Sequence, residues 1–501
     1  MMNIRSLWDK CKNDHAGLPA VRWLEKKDVR EISYTDLDKA VTAVRKGLCA
    51  EGFSKQHIAL IGSSSVYWIQ TYLGITTGDN VAVPLDVNLP NEDLLDLLDR
   101  SDSQALFLSP KLAGFADTVK ESCPKIRKIW ILDESLEGLK EAGSGTQDVK
   151  GSDEESIATI IFTSGTTGKS KGVMLTQKNL SSNVEAVQYT VDPGCVLMSV
   201  LPIHHAFCLV MDWLKGFSLG AVVCVNDSFL HMVRNMGIYK PEVMLMVPLM
   251  IETIYKKLSA ASPLIPKKVV AKKAFGGSLR IIFTGGAHLD PFYIDKFREY
   301  GIDIYEGYGM SECSPVITSN TPSDHRPGSI GRPLPNVEIK FEDGEILVRG
   351  SSVMKGYYKM PRETEKTLKD GWLHTGDKGY IDENGFLFIN GRVKNLIILS
   401  NGENISPEEI ENKLALSPYI GEVIVTGENN GLTARIYPER EAVETKGTDK
   451  VRASIESFIE KYNKNQPTYR RITGLVIRNY PFLRNATSKI IRDKVLEDIP
   501  A

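Results

Sequence analysis

Cysteine is scarce and unpatterned. Cys11, Cys49, Cys123, Cys195, Cys208, Cys224 and Cys313 are the only seven in 501 residues, and none forms a CxxC pair. That spacing indicates neither a structural zinc site nor a disulfide framework, and it fits a reducing compartment. Long apolar runs are missing too. The most apolar stretch, Val243 to Ile251, is broken by Pro248 and falls far short of the ~20 residues of a bilayer span. Met1 to Lys10 mixes charged and apolar residues without the apolar centre of a signal peptide, so a cytoplasmic protein is expected. Net charge is nearly absent. The balance of 61 basic against 63 acidic residues removes the electrostatic case for a general nucleic-acid or anionic-membrane partner and leaves only local anion sites open. No internal repeat or low-complexity tract is visible.

With 42% hydrophobic and 25% charged residues, the composition is that of a globular protein, and its length calls for roughly two or three domains. A helical pattern opens at Tyr34-Thr35-Asp36-Leu37, with Thr35 as the expected N-cap, and runs to Cys49. Strands at His57 to Ile61, Val81 to Leu85 and Ala105 to Phe107 alternate with helices near Trp68 to Thr77 and Asn91 to Leu98, which predicts a parallel sheet with crossovers. Glu134 to Glu155 is polar and reads as a surface connection. A second alternating region spans Val196 to Ile317, and short strands with glycine turns follow from Ile330 to Ile389. Ser406, Pro407 and Glu409 predict a capped helix to Leu414, and another helix is expected from Lys450 to Tyr462. The fold class is therefore α/β. A large N-terminal domain of parallel sheets, residues 1–391, includes a β-rich subdomain at about 330–391 and precedes a small α+β domain at 392–501.

The richest segment is Thr163-Ser164-Gly165-Thr166-Thr167-Gly168-Lys169-Ser170-Lys171-Gly172-Val173, which follows the apolar strand Ile157 to Phe162. Glycines let backbone N–H groups turn toward an anion, hydroxyls add donors, and lysines balance polyphosphate charge. Gly168-Lys169-Ser170 matches the end of a Walker loop, but Thr163 stands where that motif requires glycine.

From this loop onward the chain resembles the adenylate-forming enzymes, the superfamily of acyl-CoA synthetases, amino-acid-activating domains and luciferases. The resemblance rests on the loop together with Leu201-Pro202-Ile203-His204-His205, Gly285-Gly286-Ala287, Tyr308-Gly309-Met310-Ser311-Glu312, Gly371 to Asp377, Gly391-Arg392-Val393-Lys394 and Lys489, all in family order. It implies that a carboxylate is joined to ATP with loss of pyrophosphate, and that the acyl group then passes to a thiol. Thr163, Ser164, Gly165, Thr166, Thr167, Gly168, Lys169 and Lys171 would wrap the β and γ phosphates. Glu312 would hold magnesium through hard oxygen. Tyr308 would stack on the adenine, Gly285, Gly286, Ala287 and Gly309 would be among the nucleotide-binding residues, and Ser311 would reach the α-phosphate. Asp377 would accept from both ribose hydroxyls, with Arg392 at the ribose or phosphates. Lys489 would bridge the substrate carboxylate and α-phosphate. Lys394 would be the hinge of a mobile C-terminal domain, and Gly402 would lie on the thiol-channel loop. Ser170 and Ser488 depart from the frequent proline and glycine at their positions without removing a charged group.

His204 and His205 suggest metal only superficially, since no third ligand is spaced nearby. The resemblance puts His205 at the edge of the carboxylate pocket. Amino-acid-activating relatives hold the substrate ammonium with an aspartate where this chain has Phe207, so an acid without an α-amino group is expected. Phe207, Cys208, Met211, Gly286 and Val316 would line its pocket, and fatty, aryl and alicyclic acids all remain open. Coenzyme A is the expected acceptor, with an acyl carrier protein or an amine as alternatives. A nucleotide-sensing module would be expected to lack Glu312 and Lys489, and a Walker-type ATPase would release phosphate rather than pyrophosphate.

Overall fold

The computed structural model describes residues 2–496 except 134, 164–169, 190, 261, 263, 399–403, 429–430 and 485–489. The chain divides into two compact units, Met1–Ile339 with Val348–Leu373, and Lys340–Leu347 with His374–Ala501.

Two sheets form the frame of the first unit. One runs in the order Gly356–Tyr357, Lys171–Thr176, Ile157–Thr163, Val81–Leu85, His57–Ile61, Ser103–Leu108, Lys128–Ile131. Its strands pair in parallel from Ile157–Thr163 to Lys128–Ile131, as the strand–helix alternation predicts. The other has nine strands, with Asp303–Gly309, Ile281–Thr284, Val243–Met246, Val196–Ser199, Val222–Val225 and Pro19–Glu25 as successive parallel neighbours. Strands buried on both faces need continuous apolar residues, and Val81–Leu85 is buried along its whole length. Short strands between Val337 and Arg392, most of whose residues belong to the second unit, make a five-stranded sheet, the β-rich part expected from the glycine turns.

The second unit has its own core. Helices Pro407–Leu414 and Thr448–Lys464 pack Ile410, Leu414, Val451 and Ile455 against Val425, Leu432 and Ile436 of the sheet formed by Ile420–Glu428, Gly431–Pro438 and Ile472–Ile477.

Three local expectations are corrected. The first long helix, Tyr34–Ala50, is capped by Ser33, whose side chain accepts from the Asp36 N–H, while Thr35 turns its hydroxyl to the Ala16 carbonyl. Ser406 occupies the cap position of Pro407–Leu414 without a capping bond, because its hydroxyl donates to Glu408 and Glu409 pairs with Arg470. The polar connection contains a helix, Leu136–Ala142, because Leu136 and Leu139 are buried and the chain presses so close to Gly47 that a side chain there would meet the Leu139 carbonyl at 2.2 Å. All seven cysteines are free. Among the described residues no helix is long and apolar enough to cross a membrane.

Candidate active site

The phosphate-type loop joins two antiparallel strands, with Thr163 opposite Lys171. A Walker loop opens a helix, so this strand–loop–strand setting excludes it independently of the missing glycine. Residues 164–169 of the loop lie outside the described residues. Lys171 is described, and its ammonium is engaged by the chain itself. Its Nζ stands 2.9 Å from Glu363 Oε2 and 4.9 Å from the centroid of the Tyr357 ring. Hydrogen bonds from Lys171, then Lys366, hold the Glu363 carboxyl down to about 2.

The Tyr357 hydroxyl donates to Glu312 Oε1 at 2.8 Å. Glu312 is only 9% exposed, in a short turn after the strand Asp303–Gly309, and its carbonyl accepts from the Met354 N–H. Burial, then the Glu312 charge, pushes the Tyr357 phenol far above its ordinary value, so it stays a donor. Three buried residues form the brace behind Glu312. Asn183 of the helix Gln177–Ala186 bonds the Cys313 and Val316 carbonyls and the Val316 N–H, Asn179 bonds the Ser351 and Val353 carbonyls, and Ser314 bonds the Ser352 carbonyl. Tyr357, Glu363 and Asn183 carry no motif signal, since the partners that matter here lie far away in sequence, whereas Asn179 also closes a capping box with Thr176.

Tyr308 and Gly309 end the strand Asp303–Gly309, and Gly285, Gly286 and Ala287 follow the adjacent strand Ile281–Thr284, so both segments emerge at the carboxyl edge where such sheets bind ligands. Tyr308 is buried, whereas Gly286 and Ala287 are exposed. Gly285 is closely packed: a side chain there would begin 3.0 Å from the Gly307 carbonyl.

The strand Val196–Ser199 leads into His204 and His205 at the same edge. Burial, aided by His205, pushes His204 down to about 4, so its imidazole is neutral although Asp86 stands 3.7 Å from Nε2. The two rings lie 4.3 Å apart. His205 is exposed. Next comes a π-helix, Phe207–Leu214. Phe207 is half-buried, its Cζ 3.9 Å from where a side chain on Gly285 would begin. Met211 and Val316 are buried. Cys208 turns its thiol into the core, onto the Leu201 carbonyl at 3.1 Å and Ser199 Oγ at 3.3 Å. Asp212, fully buried, accepts from Ser199 Oγ at 2.9 Å, and burial pushes its carboxyl up to about 7.

The second unit carries a separate group. Asp377 and Arg392 face each other across the strands Trp372–Ile381 and Leu387–Arg392, with Arg392 Nε 2.9 Å from Asp377 Oδ1. Gly376 sits in the strand with φ +74°, and its N–H donates to Glu345 Oε1 at 2.9 Å, while the Asp377 N–H donates to Thr375 Oγ1. Asp377 is thus 7% exposed and fixed, while Arg392 is exposed. Lys394 lies in the short turn Val393–Asn395 and is exposed. Gly402 and Lys489 lie outside the described residues.

The chain belongs to the AMP-binding enzymes: that family matches residues 8–358, and its C-terminal domain matches residues 394–499. Among curated relatives, it is 28% identical over 455 residues to a long-chain-fatty-acid–CoA ligase of Mycobacterium tuberculosis, covering 79% of this chain and 75% of that one. It is 29% identical over 441 residues to an indoleacetate–CoA ligase of Aromatoleum aromaticum, covering 82% and 83%. Among solved structures, an anthranilate–CoA ligase in complex with anthranoyl-AMP superposes with a TM-score of 0.83 at 20% identity, over 99% of this chain and 96% of that one. ATP-bound MatB of Rhodopseudomonas palustris gives 0.79 at 25% identity, over 99% and 98%.

Proposed function

We propose that this enzyme activates a fatty or aryl carboxylic acid as its adenylate and transfers the acyl group to coenzyme A. In the first step a carboxylate oxygen attacks the α-phosphorus of ATP, the bond to the β-phosphate bridging oxygen breaks, and pyrophosphate leaves. In the second, the thiol sulfur attacks the acyl carbonyl carbon and loses its proton to solvent, and AMP leaves with the former carboxylate oxygen.

The observation that carries this reading is Glu312, a carboxylate withdrawn from water and oriented by Tyr357 at the carboxyl edge of the sheet. Such a group gives hard oxygen to a divalent cation. Among the described residues no three His, Cys, Asp or Glu converge to hold a metal by themselves, so the surroundings fit a magnesium ion carried in by the triphosphate and touched by one protein carboxylate. When bound, that ion would neutralise phosphate charge. Residues 163–169 are the proposed phosphate cradle, and Lys171, paired with Glu363, is proposed to add positive charge to it. Asp377 and Arg392 are the proposed ribose group. Lys489 is the proposed ammonium for the carboxylate and α-phosphate, Lys394 the proposed pivot between half-reactions, and Gly402 the proposed close approach for the thiol.

The half-buried Phe207 beside Gly285 supports an acid without an α-amino group, because an aromatic ring cannot balance a buried ammonium. Relatives named as fatty-acid and indoleacetate CoA ligases support the same classes. One relative, 26% identical, is named a long-chain-fatty-acid–acyl-carrier-protein ligase, which makes a carrier protein the second acceptor to test. The test is AMP and pyrophosphate release over a panel of carboxylic acids, with coenzyme A, a carrier protein or an amine as acceptor and mass spectrometry of the product. Acid-dependent AMP with a coenzyme A thioester is expected. ADP as the only nucleotide product, released with orthophosphate, would reject it.

A further inference from the structure

The near-neutral chain conceals a one-signed segment. Thr253 to Phe275 contains Lys256, Lys257, Lys267, Lys268, Lys272 and Lys273 and no acidic residue. It comprises the end of the helix Pro248–Ser259, a connection, and the helix Lys267–Phe275. The second helix buries Ala271 and Phe275 against the protein and leaves Lys268, Val269, Lys272 and Lys273 exposed. Just before it, Leu264 is 93% exposed and Ile265 45%, and Val269 is 54% exposed. Three branched apolar side chains in water within six positions are unusual on a soluble face, and here they are interleaved with ammonium groups.

We infer that this face docks on an anionic lipid surface. Lysines within a Debye length of such a surface are each attracted to it, and exposed leucine, isoleucine and valine gain by entering the boundary between headgroups and acyl chains. A nucleic acid or an acidic polypeptide would satisfy the charges alone and leave Leu264, Ile265 and Val269 in water, which is why a bilayer is the better fit. The position suits docking. The helix Pro248–Ser259 starts at the carboxyl end of the strand Val243–Met246 and runs about 18 Å away from that edge. The basic segment follows it, and Lys267 is anchored there by Glu299, at the end of the helix Pro291–Glu299. Docking through it leaves the edge bearing Gly285–Ala287 open. The inference does not rest on the acid-activating reading.

Co-sedimentation of the full chain, without ATP, compares vesicles of phosphatidylcholine with vesicles of phosphatidylcholine and phosphatidylglycerol. Partition into the anionic vesicles alone, lost in high salt, is expected. The triple variant Lys268→Gln/Lys272→Gln/Lys273→Gln lowers that partition roughly a hundredfold, about fivefold per lysine. Leu264→Ser with Val269→Ser lowers it about tenfold. Both variants keep the wild-type circular dichroism and the same pyrophosphate release with a water-soluble acid, so a failed docking idea and a failed enzyme assignment give different results. No binding to anionic vesicles, binding indifferent to both variants, retention by nucleic acid without vesicle binding, or a dimer broken by Leu264→Ser would each overturn it.

Discussion

Tyr357 gives its hydroxyl hydrogen to Glu312 across 2.8 Å, and the same ring lies under the Lys171 ammonium. One side chain therefore orients the candidate magnesium carboxylate and supports a lysine beside the phosphate loop. Tyr357→Phe keeps the ring and deletes the bond. A hydrogen bond to a charged group contributes about 1.5–3 kcal/mol, so adenylation at limiting magnesium is expected to fall roughly ten- to hundredfold, with partial recovery at high magnesium. A magnesium titration of pyrophosphate release checks this. An unchanged titration curve would remove Tyr357 from the site.

Asp212 sets a pH dependence of stability. Below the ordinary aspartate value of 3.8 the carboxyl is protonated in both folded and unfolded chains. As pH rises past that point the unfolded chain ionises first, so stability falls until about 7, where the folded group also ionises, and is level beyond. The full drop is on the order of 4 kcal/mol. Asp212→Asn imitates the neutral acid, so its stability profile from about pH 4 to about pH 8 is expected to be flatter than the wild type's by denaturant unfolding. Parallel profiles would contradict this origin.

Gly391 has φ +141°, and a side chain on it would meet Ser406 Oγ at 2.5 Å. Gly391→Ala is expected to destabilise the second unit by roughly 1–3 kcal/mol, with part restored by adding Ser406→Gly. Urea unfolding followed by a probe in that unit reads the effect.

Phe207→Ala opens space next to Gly285. The expected outcome is a higher KM for the best small aromatic acid and gained turnover with bulkier acids, without a change in the KM for ATP. A raised KM for ATP instead would move Phe207 from the acid to the nucleotide.

Much of the frame was legible because buried strands such as His57–Ile61 and Val81–Leu85 are continuous apolar runs bounded by turns. The helix Leu136–Ala142 was not, since its polar face dominates the local composition and only burial against Gly47 fixes it. Thr35 and Ser33 both make chemically reasonable caps, and the choice was decided by Ala16, a partner distant in sequence. The site divides in the same way. Glu312, Asp377 and Arg392 stand in motifs that the resemblance marks, whereas Tyr357, Asn183 and Glu363 act through contacts 45 to 192 positions apart and leave no local trace.

Lys489→Ala is expected to cut acid-dependent pyrophosphate exchange by a factor on the order of a hundred to a thousand, while thioester formation from a supplied acyl-adenylate persists. Equal losses in both half-reactions would exclude a role specific to adenylation.

Isotope transfer tests the proposed chemistry at its reacting atoms. A carboxylic acid labelled with oxygen-18 in its carboxyl group is turned over with ATP and coenzyme A, and the nucleotide product is weighed by mass spectrometry. Attack of the carboxylate on the α-phosphorus followed by thiolysis leaves one heavy oxygen in AMP and none in pyrophosphate. Unlabelled AMP, or label in orthophosphate, would contradict formation of an acyl-adenylate.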